Sequence, residues 1–321
     1  MTKEELKNLK FIYEDKINVP QNPFGIEIEF EEASYNQIEK DLMELFNYEY
    51  VPKSKWSREI KKDYTKWQIG RDATVETNSQ ENNFETLGGE IKTPIMANEK
   101  KYWEELKQVC ELLRSNPRTK ITGKCSIHIH SDKKIYTNLE EYKNLLKLIM
   151  IYEDIIYKFS YGEKNTPREL IFKFAKPMSY KIYGILDKLE IIETEQQLVK
   201  LLDNERKYEF NFKNIVSEEK QTIEKRTSNG TLNEKIIQND VRFTLNLLKY
   251  AKIENFDKEF INYKLKNFEP FVINQSIKEF PKKAEELANM IYEEKMDKLM
   301  FFKQYYKAFK PNEIAKKHFS W

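Results

Sequence analysis

Apolar and polar positions alternate with period two in several short stretches of this chain, the signature of strands with one buried face. "PFGIEIEF" (23–30) puts Ile26, Ile28 and Phe30 on one side and Gly25, Glu27 and Glu29 on the other. "GKCSIHIHSD" (123–132) divides Cys125, Ile127 and Ile129 from Ser126, His128 and His130 in the same way. "KWQIGRDATVE" (66–76) reads as strand, turn and strand. "NNFETLGGEIKTP" (82–94) reads as a strand around a double glycine, stopped by Pro94. "RKYEFNFKN" (206–214) and "QTIEKRTSNGTLN" (221–233) read as two more strands near an Asn-Gly turn.

Between these runs the apolar period lengthens to that of a helix. Segments 34–46, behind a capping Ser34, 99–116, 138–162 and 234–251 are predicted helices. Segment 163–205 reads as short helical pieces with a loop at "NTPRE", and 255–321 as helical, Lys-rich and aromatic. In that last part Met300, Phe301, Tyr305 and Phe309 recur at helical spacing, which points to packing rather than to stacking on a nucleic acid. The pattern predicts an α+β fold: an antiparallel sheet with helices packed on one side and the other face open.

Composition narrows the partners. The 321 residues hold 55 Lys+Arg against 53 Asp+Glu, a formal net charge of +2, so no global basic field argues for nucleic acid. The two cysteines, Cys110 and Cys125, form no CxxC pattern, and the first residues lack an apolar run. No apolar stretch is long enough to span a bilayer. A soluble, cytoplasmic protein with no membrane partner is expected.

The open face carries the candidate chemistry. It collects Glu27 and Glu29, then Glu90, then His128 and His130, then Thr222, Glu224 and Arg226. A solvated face is the commoner origin of any one such strand. Two like charges at i and i+2, however, repel unless something positive lies between them. A divalent cation supplies that, and oxygen ligands with an imidazole suit Mg²⁺ or Mn²⁺. An arginine two residues from a carboxylate suits a phosphate beside the metal. A zinc hydrolase built on "HIH" competes, but it has only His318 as a further imidazole.

The ordered set "FGIEIEF", "WQIGRDATVE", "GGEIKTP", "CSIHIH", "NF" and "TIEKRTSNGTLN" resembles the amidoligase family, related to glutamine synthetase and glutamate–cysteine ligase. The resemblance spans about residues 23–250. It implies a glutamine synthetase-like catalytic domain over 20–254, a curved antiparallel sheet with an open concave active-site face, followed by a helical extension over 255–321. It implies an ATP-dependent carboxylate–amine ligase using Mg²⁺ (or Mn²⁺) and ATP, with a carboxylate and an amine as substrates, a peptide or protein among the candidates. Glu27, Glu29, Glu90, His128 and Glu224 match metal-ligand positions, and Arg226 matches the arginine that contacts transferring phosphate. Asp72 and His130 fall at further catalytic positions, and Asn211, Thr231 and Asn233 in motifs near the cofactor. The oligomeric state stays open.

Two positions depart from the family pattern. Ser126 replaces a glycine and is expected to point into the site. Lys225 replaces an apolar residue and should point to the opposite face, implying a sheet less buried there. The same site also accommodates a guanidino-kinase-like phosphotransferase, and a non-catalytic binding protein using its Lys/aromatic end is the alternative outside enzymes.

Overall fold

The computed structural model describes residues 2–48, 63–78, 85–313 and 319–320. The chain opens with α1 (Lys3–Asn8), β1 (Phe24–Ser34), α2 (Tyr35–Leu45), β2 (Gln68–Gly70), β3 (Thr77–Asn78), β4 (Thr86–Lys92), α3 (Lys100–Ser115), β5 (Ile121–Thr122) and β6 (Ser126–Asp132). A long helix, α4 (Leu139–Ser160), leads into four short ones: α5 (Ile171–Phe174), α6 (Ser179–Tyr183), α7 (Leu186–Ile191) and α8 (Glu195–Leu201). Then come β7 (Phe210–Asn211), β8 (Thr222–Asn229), α9 (Glu234–Tyr250), α10 (Lys258–Lys266), α11 (Pro281–Ile291), α12 (Lys295–Tyr305) and β9 (Phe319–Ser320).

Six strands form one open sheet in the order β2-β4-β1-β6-β8-β7, with β3 paired to β4 off that path. Every neighbouring pair in it is antiparallel. Register follows the alternation in the sequence. Ile28 faces Ile91 on one side and Ile127 on the other, while Glu27 faces Lys92 and His128. A slip of one residue would put the glutamates in the core, so the pairing is strongly specified. Gly88 sits in β4 at φ +80, and a Cβ there would meet the Val75 carbonyl oxygen at 2.5 Å, so only glycine fits where β4 bends past β1.

The apolar face of the sheet is covered by α4 and α9, which contact β8 and β6. Both helices are buried nearly all round, because α10, α11 and α12 close over them from outside. α4 starts at a capping box, with Asn138 and Glu141 satisfying each other's backbone donors, and runs 22 residues with a local distortion at Tyr152. Several of the C-terminal aromatics are spent inside. Phe301 stacks on Phe159 at 5.2 Å and on Tyr305 at 5.8 Å, and Met300 and Phe309 are buried beside Phe11. Ile261, Leu287 and Phe301 belong to the same apolar cluster as the sheet isoleucines. Among the described residues no helix is long and apolar enough to cross a membrane.

The expectation of a less buried sheet at Lys225 does not hold. Lys225 is 0% exposed and lies behind β8 among ions. Its ammonium donates to Ser228 Oγ at 2.6 Å and lies 3.8 Å from Asp240 on α9. An ion-paired layer therefore replaces an apolar contact there. Nor is the end of the chain helical throughout: Phe319–Ser320 runs parallel to β5 as a short strand.

Candidate functional site

β1 carries Glu27 and Glu29 on the face opposite its isoleucines, and its neighbours bring their own polar positions alongside. Pairing sets Glu90 opposite Glu29, His128 opposite Glu27, and Glu224 opposite both His130 and Asn211. Five strands thus feed one patch. The β6–β8 ladder is irregular in the middle. Ile127 faces Ser228 and Ile129 faces Lys225, so Arg226 and Thr227 together stand opposite the single His128. Such a bulge bends its strand and re-aims a side chain. Here the Arg226 guanidinium folds back to donate through Nη1 to Glu224 Oε1, while its Nε donates to the Phe174 carbonyl at 3.2 Å.

The side chains converge as the strands do. His128 Nδ1 lies 3.2 Å from Glu27 Oε2 and 3.6 Å from Glu224 Oε1. Its Nε2 lies 2.9 Å from Ser126 Oγ, so Ser126 points into the site as expected. His130 Nε2 lies 3.4 Å from Glu27 Oε1 and 3.9 Å from Glu224 Oε1 but makes no hydrogen bond, although it is buried. Asn211 Nδ2 donates to Glu224 Oε2 at 2.7 Å. Glu29 Oε2 accepts the Ser126 backbone N–H at 2.7 Å, and Lys92 pairs with Glu90 at 2.5 Å.

The electrostatics divide the patch. Burial pushes Glu27 up, but His130 and His128 outweigh it and hold the carboxyl well below the usual range. Glu224 is likewise lowered against its burial by His130, Arg226 and His128. At the other end, burial pushes Glu29 up to about 7, with Asp72 adding to the rise. Burial and the nearby Glu27 push Glu90 up to about 8, against the pull of Lys92. Burial, with Arg226 beside it, takes His128 down to about 4, whereas Glu27 and Glu224 overcome burial and raise His130. Glu27 and Glu224 are thus both held in the ionised form beside His130.

Such a pair of ionised carboxylates beside an imidazole nitrogen fits a cation. One oxygen each from Glu27 and Glu224 and one ring nitrogen of His130 all lie within 4.8 Å of one another. The orphaned His130 nitrogen is the kind of buried polar atom that a ligand completes. Mixed carboxylate and imidazole donors suit Mg²⁺ or Mn²⁺. The convergence takes in His130, whereas the resemblance pointed to His128 as the ligating imidazole. His128 Nε2 is already satisfied by Ser126.

The remaining candidates are placed differently. Asp72 follows β2 and spends its carboxylate on Thr74, accepting from N at 2.7 Å and from Oγ1 at 2.5 Å, although its charge still acts on Glu29 and Glu90. Thr231 donates to Glu163 at 2.9 Å, and Asn233 caps α9 by accepting from Lys235 N, with its amide donating to the Glu313 carbonyl. Those bonds build the β8–α9 turn and do not reach the cluster. His318 lies outside the described residues. Reasoning from sequence missed Lys92, although period two puts it on Glu90's face. It also missed Asn214, 3.4 Å from Glu224, and Arg168, in the "NTPRE" loop. Only the three-dimensional return of that loop onto the sheet brings Arg168 here.

No curated protein matches the chain. A family model does, over residues 20–248, which covers the sheet residues of the site from Glu27 to Arg226. The match takes in more than half of the 321 residues, and the chain belongs to the family described as "putative amidoligase enzyme".

Proposed function

We propose that this protein joins a carboxylate to an amine at the expense of ATP, on the polar face of its open sheet, with Mg²⁺ or Mn²⁺ held by Glu27, His130 and Glu224. The observation that carries this reading is the convergence of those three side chains with Arg226 on one face, in a member of an amidoligase family. A glutamine synthetase-like catalytic sheet is part of the same reading.

The chemistry follows from the groups present. A bound cation would neutralise the phosphate oxygens of ATP and lower the cost of bringing an anionic acceptor up to them. Arg226 faces the same point and would oppose charge that spreads over the phosphoryl group in flight. A carboxylate oxygen of the first substrate attacks the γ-phosphorus, ADP leaves, and an acyl phosphate forms. The lone pair of the amine then attacks the acyl carbon, phosphate leaves with its bonding electrons, and the nitrogen releases one proton. Asn211 fixes one oxygen of Glu224 so that the other stays turned toward the histidines. Glu29 and Glu90, raised toward neutral pH, widen the range over which the face can adjust its charge to an incoming anion or cation.

The test is thermal stability of wild type and Glu27→Gln with Mg²⁺ and ATP, separately and together. A ligand at about 100 times its dissociation constant adds roughly 2.7 kcal/mol. A shift that needs both ligands and vanishes in the variant is expected. Hydroxylamine then traps the acyl phosphate as a hydroxamate. Stable phosphorylated product without hydroxamate would indicate a phosphotransferase, and a response to Zn²⁺ alone would indicate a hydrolase.

A further inference from the structure

We infer that Arg168 is the second guanidinium of an oxyanion subsite on this face, where with Arg226 it takes the phosphoryl or carboxylate group of a substrate. The inference rests on the ligase reading for the identity of that substrate, but not for the site itself.

Arg168 is 4% exposed, and its Nε–H has no hydrogen-bond partner. Its Nη2 donates to the Arg226 carbonyl at 3.2 Å, and its backbone N–H to Asn229 Oδ1 at 3.0 Å. No carboxylate among the described residues lies within ion-pair distance of it, and the charges that act on it most are Glu29 and then Arg226. Arg226, by contrast, is already engaged with Glu224. A buried charge without a partner is costly, and two neighbouring guanidiniums make it more so. An anion between them removes both costs. A guanidinium presents a fork of donors matched to carboxylate and phosphate oxygens, and the free Nε–H is one tine of that fork.

The loop is built to hold the group still. Asn229 at the end of β8 donates to the Thr166 carbonyl at 3.0 Å and to the Tyr161 carbonyl at 3.3 Å. Glu169 N–H reaches the Gly123 carbonyl at 2.6 Å, tying the loop across the start of β6. Phe174, a few residues on, accepts from Arg226. One stretch of chain therefore anchors both guanidiniums. A purely structural role at Arg168 would need a single donor to the Arg226 carbonyl, which does not explain a second, buried and unused one.

The experiment measures binding of inorganic phosphate and, separately, of acetate to wild type, Arg168→Gln and Arg168→Lys at matched ionic strength, by calorimetry and by thermal shift. Wild type should bind one of the two anions. Both variants should bind it roughly 10- to 100-fold more weakly, the effect expected for losing charged hydrogen bonds. Phosphate binding without acetate binding assigns the subsite to the transferred phosphoryl group, and the reverse assigns it to the acceptor carboxylate. If Arg168→Gln fails to fold, Arg168→Lys decides: it keeps the charge and loses the fork. Unchanged affinity in the folded variants, or no binding of either anion by wild type, overturns the inference. Mg²⁺·ATP protection measured on the same samples keeps the two readings apart. Its absence from wild type with anion binding intact sinks the ligase reading alone. Its presence with anion binding indifferent to Arg168 sinks this inference alone.

Discussion

Glu224 stands directly opposite His130 across the β6–β8 ladder, with Oε1 3.9 Å from His130 Nε2 and 3.6 Å from His128 Nδ1, while Arg226 holds the same oxygen from its own strand. Both imidazoles and the guanidinium thus meet at one carboxylate atom. Glu224→Gln keeps the shape and removes the charge. Divalent-cation binding, followed by Mn²⁺ titration, should be lost, and ligase activity should fall by about 10²-fold or more. Unchanged Mn²⁺ affinity would remove Glu224 from the site.

Asn211 reaches the cluster by donating to Glu224 Oε2. Partners that orient a metal ligand typically contribute 10- to 100-fold to affinity. Asn211→Ala should therefore weaken Mn²⁺ binding by about that factor with little loss of melting temperature. A large drop in stability with normal Mn²⁺ affinity would make Asn211 a packing residue instead.

Behind the sheet, burial and the adjacent Glu153 push Glu209 well above the usual carboxylate range, only partly opposed by Lys225. The fold therefore favours the protonated form. Its stabilising contribution is complete below the unfolded-state value near 4.5 and drains away as pH rises toward the raised folded value. Wild-type stability should fall with rising pH above that point, by no more than about 1.4 kcal/mol per unit from this group. Glu209→Gln, fixed in the neutral form, should flatten the slope in urea melts between acid and alkaline buffer. Identical slopes in both proteins would contradict the assignment.

Lys225 and Asp240 form a fully enclosed pair. Removing one partner of such a pair costs about 3–5 kcal/mol, whereas replacing both by neutral groups of similar size is often close to neutral. Lys225→Ala should destabilise by that amount, and Lys225→Met with Asp240→Asn should recover most of it. Additive losses in the double variant would show that the two do not interact.

Phe301 belongs to α12, yet it stacks on Phe159 of α4 and lies 5.9 Å from Phe243 of α9. Phe301→Ala should cost about 3–5 kcal/mol and lower a single cooperative transition. Two separated transitions would mean that residues 255–313 melt independently of the sheet.

The strand alternations carried most of this architecture, because each buries one face and a period of two leaves little freedom once Ile26, Ile28, Ile127 and Ile129 are recognised as core. That Glu27, His130 and Glu224 share one face was readable for the same reason, since each sits opposite an isoleucine, although the ligand position was matched to His128 and not to His130. Lys225 was misjudged because alternation gives a side and not an environment. Its enclosure depends on Asp240, which arrives from α9. Arg168 left no periodic trace at all. It lies in a loop whose return over β6 and β8 depends on Asn229 and Gly123, contacts between residues far apart in the chain. The proposal of His130 rather than His128 as the ligand likewise rests on Ser126 Oγ, a single hydroxyl that no spacing rule weighs.

The paired residues Arg226 and Thr227 opposite His128 also bear on how this chain could change length. Pairing is regular before the doubled position, at Glu224 with His130, and resumes after it, at Ser228 with Ile127. Deleting Thr227 would erase the bend and leave every later side chain on its present side. Deleting Lys225 would also use up the doubled position, but Arg226 would then stand opposite Ile129 and turn to the core side. Shortening by one residue is therefore cheap in register at Thr227 and turns Arg226 inward at Lys225, and the straightened strand would show what the bend alone contributes to the aim of Arg226.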